Sequence, residues 1–141
     1  MKKIAVIILN WNGADLLRKF LPSVCAHTNA HIADVIVVDN GSDDNSVEVL
    51  KQEFPQVKTL LFPQNCGFAA GYNKALEMLD YKYAVLLNSD VETTPHWLEP
   101  LLEFAEDNPD VAACQPKIKS LRRREKFEYA GAAGGFIDRY G

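Results

Sequence analysis

The chain has 141 residues, 48% of them hydrophobic and 24% charged, which fits one globular domain with a real core. Its net charge of −4 argues against a general nucleic-acid binder, whose footprint is basic. No run approaches the ~18 apolar residues of a membrane span, and Lys2-Lys3 precede only six before Asn10, so no signal peptide is expected.

In chain order the pattern alternates strand and helix. Strand 4–9 leads through a Gly13 turn into a helix over 14–26, with Leu16, Leu17, Phe20, Leu21 and Val24 on its apolar face. Pro22 is expected to kink that helix or divide it. Strand 35–38 is followed by an Asx-rich turn and a helix over 46–53, where Asn45 and Glu48 resemble a capping box. Strand 57–62 precedes a helix over 68–79 that Gly67 opens. After strand 83–87, Thr94 reads as an N-cap and Pro95 as the first residue of a helix running to Asp107. Val111–Cys114 reads as a last strand.

Three of the apolar runs end abruptly in polar or acidic clusters: Ile4–Leu9 into Asn10-Trp11-Asn12-Gly13, Val35–Val38 into Asp39–Asp44, and Ala84–Leu87 into Asn88-Ser89-Asp90. Unbroken runs rich in Val, Ile and Leu suit strands buried on both faces, hence a parallel sheet with right-handed crossovers. Ligands bind outside the carboxyl ends of such strands. One rim of the sheet is therefore expected to carry Asn12, Asp39, Asp43, Asp44 and Asp90, a set suited to a hydrated cation or to sugar and base hydroxyls.

Each cluster has a plain structural alternative. Asn88-Ser89-Asp90 is either an Asx turn or a site where the Asp90 carboxylate holds Mg²⁺ or Mn²⁺ together with diphosphate oxygens and water. Asp43 and Asp44 are expected to be structural, since acids suit a turn and a helix N-terminus. Asp39, the first polar residue after four apolar ones, is expected at the rim, able to accept hydrogen bonds from a base N–H or ribose hydroxyls. Residues 65–73, NCGFAAGYN, pack small residues at a helix start; this means close packing on the sheet or a helix N-terminus facing phosphate or base. Neither a P-loop nor G-x-G-x-x-G is present. His27, His31 and His96 do not cluster in sequence. Cys25, Cys66 and Cys114 match no zinc spacing and are expected to be reduced, mostly buried thiols of a cytosolic protein.

In their order, VIILNWNG (6–13), VIVVDNGSDDNS (35–46), NCGFAAGYN (65–73) and VLLNSDVETTPHWL (85–98) resemble the N-terminal, nucleotide-sugar-binding part of family 2 glycosyltransferases, in particular the rhamnosyltransferase-like branch. The resemblance covers about residues 4–115. It implies a truncated α/β fold of GT-A type: a Rossmann-like, mostly parallel sheet flanked by helices, binding a nucleoside-diphosphate sugar with a divalent cation, Mn²⁺ or Mg²⁺. Carried over by position, Leu9, Asn10 and Asn12 line the nucleotide pocket and Asp39 bonds the base. Gly67, Tyr72 and Asn73 belong to the substrate-binding helix start, Asn88 lies near the ribose, and Asp90 binds the metal. Tyr72 stands where many relatives carry Arg, which leaves dTDP and GDP sugars open beside UDP sugars. The general base is expected outside this chain, in an acceptor-binding half; Glu128 and Asp138 do not stand in its motif.

The expected organisation is thus a nucleotide-sugar-binding domain over 1–116 and a basic, Gly-rich segment over 117–141 leading toward that half. The implied enzyme is an inverting transferase acting on a saccharide or lipid-linked acceptor in cell-wall or surface-polysaccharide synthesis, cytoplasmic and peripheral at the inner face of the membrane. The six basic residues among Lys117–Lys126 suit a solvated loop, or contact with an anionic membrane or a lipid-linked acceptor. Phe127, Tyr129, Phe136 and Ile137 would favour self-association into a homo-oligomer. Two other classes fit the alternating pattern: a phospho-receiver domain, against which strand 4–9 ends in Asn-Trp-Asn and not an acid pair, and a non-catalytic nucleotide-binding module.

Overall fold

The computed structural model describes residues 2–128. Its contacts divide the chain into two compact units, 1–96 and 97–141. The first unit holds β1 (Ile4–Asn10), α1 (Ala14–His27), β2 (Ala33–Asp39), α2 (Ser46–Glu53), β3 (Lys58–Leu61), α3 (Phe68–Glu77) and β4 (Tyr83–Leu87). The four strands are all parallel, in the order β3-β2-β1-β4. β1 and β2 are almost wholly buried, as their unbroken apolar runs require.

This order fixes the layers. The crossovers from β1 to β2 and from β2 to β3 step the same way, and the crossover from β3 to β4 steps back. Right-handed connections therefore put α1 and α2 on one face and α3 on the other. On the α3 face, Ala5, Ile7, Ile36 and Val38 pack with Phe62, Tyr72 and Ala75. On the other, α1 buries Leu17, Phe20, Leu21 and Val24, and α2 buries Val49 and Leu50. Leu16 is exposed, outside the stripe expected of it.

Several expectations are corrected. α1 runs through Pro22 without dividing; the missing N–H is tolerated because the buried stripe on both sides of it holds the helix to the sheet. The helix expected from Pro95 begins instead at Glu99 and ends at Asp107 (α4, in the second unit). Had it begun at Pro95, Pro100 would fall in its interior, whereas a start at Glu99 keeps Pro100 in the first turn, where proline is tolerated. His96, at φ 58°, lies in the non-helical lead-in. Residues 111–114 form no strand. The three thiols are unpaired, but Cys25 and Cys66 are half-buried and Cys114 is exposed. The Gly-rich stretch 131–135, Tyr129, Phe136, Ile137 and Asp138 lie outside the described residues.

Candidate functional site

In the parallel register Asn10 stands beside Asp39, and Ile8 beside Leu87. The turns after β1, β2 and β4 therefore open on one rim. The chain's direction of stepping reverses between β1 and β4, which makes this the topological switch point, the place where open α/β sheets bind ligands.

The β2 side of the rim is tightly built. Asp39 is only 2% exposed. Its Oδ2 accepts from Asn10 Nδ2 at 2.9 Å and Ser42 Oγ at 2.7 Å, and its Oδ1 accepts from the Ser42 backbone N–H at 3.0 Å. Asn12, at φ 50°, links the loop after β1 to the loop after β2. Its N–H donates to Ser42 Oγ, and its Oδ1 accepts from the Asp43 N–H at 2.8 Å. Asp44 accepts from the Ala14 N–H through Oδ2 and from the Ser46 N–H through Oδ1, so one carboxylate serves the first turns of α1 and α2. Burial opposes that charge, but the hydrogen bonds from Ser46 and Ala14 outweigh it and lower the Asp44 pKa. The capping box expected of Asn45 does not form, because Asp44 takes that place. Asp44 is thus structural, as its position at a helix start suggested.

The loop into α3 is held by Asn40. Its Nδ2 donates to Asn65 Oδ1 and the Gly67 carbonyl, and its Oδ1 accepts from the Cys66 N–H and Sγ. Gly41, at φ +73°, lies so close to this loop that a Cβ would sit 2.5 Å from the Gln64 backbone. Gly67 caps α3 at φ +88° with open space beside it. Gly71 lets α3 approach β1: a Cβ there would meet both Leu9 methyls at 2.9 Å. Of the small residues of 65–73, Gly71 therefore serves close packing on the sheet, whereas Gly67, Ala69 and Ala70 are exposed.

Tyr72 lies inside, 4% exposed, with its hydroxyl donating to the Leu87 carbonyl at 2.9 Å. Burial raises its pKa, so it stays a neutral donor. As placed, it joins α3 to the end of β4 and offers no polar group outward. Asn73 is exposed on α3, and Leu9 is half-buried against Gly71. Asn88 and Asp90 are exposed, and neither has a hydrogen bond or ion pair among the described residues. No cluster of three or more His, Cys, Asp or Glu side chains occurs among those residues. Asp90 is thus a single open carboxylate, suited to a cation only where other oxygens complete the shell.

Two participants escape sequence reasoning. Ser42 and Asn40 are buried or bonded locks whose partners outside their own turn lie 25 to 32 residues away. Trp11, inside the segment Leu9–Asn12 expected to line the nucleotide pocket, presents an indole that is 56% exposed.

Comparison with known proteins agrees with this architecture. The family described as Glycosyl transferase family 2 matches residues 5–133. The chain belongs to that family. It is 34% identical over 116 residues to the uncharacterized glycosyltransferase YibD of Escherichia coli K12, an alignment covering 79% of this chain and 33% of that protein. It is 24% identical over 127 residues to an N-acetylglucosaminyl-diphospho-decaprenol L-rhamnosyltransferase of Mycobacterium tuberculosis, covering 82% of this chain and 41% of that one. Among solved structures, Staphylococcus aureus TarS in complex with UDP-GlcNAc superposes with a TM-score of 0.67 at 18% identity, covering 84% of this chain and 38% of that chain. The fold is thus of the GT-A type expected. The chain spans about a third of the length of the YibD relative. Family membership also removes support for the phospho-receiver alternative.

Proposed function

We propose that this chain is the donor-binding part of an inverting glycosyltransferase, which moves a sugar from a nucleoside-diphosphate sugar to a saccharide or lipid-linked acceptor. The observation that carries this reading is the switch point between β1 and β4, whose rim carries Trp11, Asn12 and Asp39 after β1 and β2 and Asn88 and Asp90 after β4. Asp39 fits the base: a carboxylate has about four acceptor sites, and its oxygens fill three here, leaving one on Oδ1 for a base N–H. The exposed Trp11 ring supplies a face for stacking. Asn88, exposed one residue beyond β4, suits a ribose hydroxyl. Gly67 and Asn73 contribute the α3 end of the pocket and Tyr72 supports it from within.

A Mn²⁺ or Mg²⁺ ion held by Asp90 and diphosphate oxygens would offset the charge of the leaving nucleoside diphosphate. The chain's own residues bind and orient the donor. We assign the base that deprotonates the acceptor to none of them, because Glu128 and Asp138 do not stand in the acidic motif that supplies it in the family resembled. Such a base typically contributes about 10²–10⁴-fold, so the chain alone should bind donor without multiple-turnover transfer. The rhamnosyltransferase relative's name supports a lipid-linked acceptor, and with it a cytoplasmic enzyme of cell-wall or surface-polysaccharide synthesis working at the membrane. Thermal melting with UDP, dTDP and GDP, each with and without Mn²⁺, tests the reading, since ligands that bind only the folded state raise the midpoint. No shift with any of the three nucleotides would reject it.

A further inference from the structure

The second unit contains a short hairpin. The Glu128 N–H donates to the Ile118 carbonyl at 2.9 Å, the Ser120 N–H to the Lys126 carbonyl at 2.9 Å, and the Lys126 N–H to the Arg123 carbonyl at 2.8 Å. Lys119 and Phe127 face each other as an antiparallel pair. The basic stretch is therefore closed by backbone hydrogen bonds, and its basic side chains are exposed.

Its charge is set against that of the rest of the chain. Residues 117–128 hold six Lys and Arg against Glu125 and Glu128, a net of +4, whereas the whole chain carries −4, so everything outside the hairpin carries −8. Four excess positive charges gathered on one turn of an acidic protein do not serve general solubility. Arg122, Arg123, Lys126 and Phe127 line an open cleft of about 380 Å³ together with Ser120 and Glu128. Ile118, Leu121 and Phe127 are exposed among the cations.

We infer that this hairpin is a docking element for an anionic phospholipid surface. The cations match the lipid phosphates, and the three exposed apolar side chains match the boundary between headgroups and acyl chains. A soluble polyanion would use the charge alone and leave Ile118, Leu121 and Phe127 in water. A neutral bilayer would use the apolar groups and offer no counter-charge to Arg122, Arg123 and Lys126. An anionic bilayer uses both sets. The inference is independent of donor binding, and holds or fails whether or not the rim binds a nucleotide.

The test is co-sedimentation of the 141-residue chain with vesicles of phosphatidylcholine mixed with phosphatidylglycerol, against vesicles of phosphatidylcholine alone. Binding is expected only to the mixed vesicles and should weaken with added salt. Each cation near an anionic surface changes affinity about fivefold, so Arg122→Gln/Arg123→Gln/Lys126→Gln should bind about a hundredfold more weakly. Leu121→Ser, with charge unchanged, should bind measurably more weakly too. Unchanged melting temperatures of both variants separate this effect from misfolding, as the replaced side chains are exposed. The proposal is overturned if the two vesicle types bind equally or not at all, or if the triple variant binds as the parent does. It is also overturned if a duplex oligonucleotide binds more tightly than the mixed vesicles with no loss in Leu121→Ser.

Discussion

Asn10 and Asp39 stand side by side at the carboxyl ends of β1 and β2, and the Asn10 amide donates to the Asp39 carboxylate at 2.9 Å. Both are buried, and Asn10 Oδ1 has no partner among the described residues. The pair joins fold to site: the group proposed to read the base also holds two strand ends together. Asp39→Asn replaces an acceptor by an amide that must put a donor against Asn10 or Ser42. Leaving a buried group unsatisfied costs about 1–3 kcal/mol. Urea denaturation should show a loss of that size, and nucleotide titration a weaker affinity; a variant with parental stability would disprove the lock.

The glycines separate backbone strain from steric contact. Gly41 and Gly67 both have positive φ, but a Cβ at Gly41 would strike the Gln64 backbone at 2.5 Å while one at Gly67 meets nothing. A non-glycine residue held in such a conformation costs about 1–3 kcal/mol. Gly67→Ala should therefore lose an amount in that range and Gly41→Ala clearly more, because backbone cannot swing aside. Equal losses in denaturant titrations would mean that the loops after β2 and β3 separate easily.

Most of the fold was readable from the residues. The buried runs 4–9 and 35–38 predict parallel strands because nothing polar interrupts them, and the motifs at their ends predict a shared rim. What failed involved proline and long-range bonds. Pro22 is expected to kink or divide α1; the helix is not divided, because the buried stripe on both sides of the proline holds it to the sheet. Pro95 reads as the first residue of α4, but Pro100 would then lie in the helix interior, so the helix begins at Glu99. The roles of Ser42 and Asn40 depend on partners brought near only by the sheet order, which no local pattern encodes. Tyr72, expected at the substrate-binding helix start from its place in a motif, turns its hydroxyl inward to the Leu87 carbonyl.

Tyr72→Arg is accordingly expected to destabilise the chain before it changes base preference. A guanidinium buried there would lie among apolar side chains, without the neutral phenol's bond to Leu87. A melting temperature equal to the parent's, with altered preference among UDP, dTDP and GDP, would show instead that this side chain reaches the ligand.

Asp34, near the start of β2, gives a pH signature. Burial raises its pKa, but Lys2 at 2.6 Å, Lys58 at 2.8 Å and the Tyr81 hydroxyl at 2.8 Å more than offset this, lowering it from 3.8 to about 2. A carboxyl depressed in the folded state adds stability that is complete above its unfolded pKa and lost as pH falls through the folded one. The stability advantage of the parent over Asp34→Asn should therefore be constant above about pH 5 and shrink between about pH 4 and pH 2. A difference independent of pH would show that the lysines contribute no charge pairing.

The segment after Asp90 is tied to α1 by three hydrogen bonds. The Thr93 N–H donates to Ser23 Oγ at 3.2 Å, Thr93 Oγ1 donates to the Ser23 carbonyl at 3.0 Å, and His27 Nδ1 meets the Thr93 carbonyl at 2.7 Å. Thr93 is buried, so this anchor positions the Asp90 turn from behind. Thr93→Val should cost about 0.5–1.5 kcal/mol of stability and weaken Mn²⁺-dependent nucleotide binding while sparing metal-free binding. An equal loss in both would assign Thr93 to stability alone.

The most direct measurement of the central claim is calorimetric titration of UDP, dTDP and GDP into the parent chain and Asp90→Asn, with and without Mn²⁺. Asp90 is exposed, so the substitution leaves the fold intact. The account predicts that at least one nucleotide binds the parent, that Mn²⁺ tightens it, and that Asp90→Asn keeps the metal-free binding but loses the tightening. Retention of the full Mn²⁺ effect by Asp90→Asn, or no binding by any of the three, would contradict it.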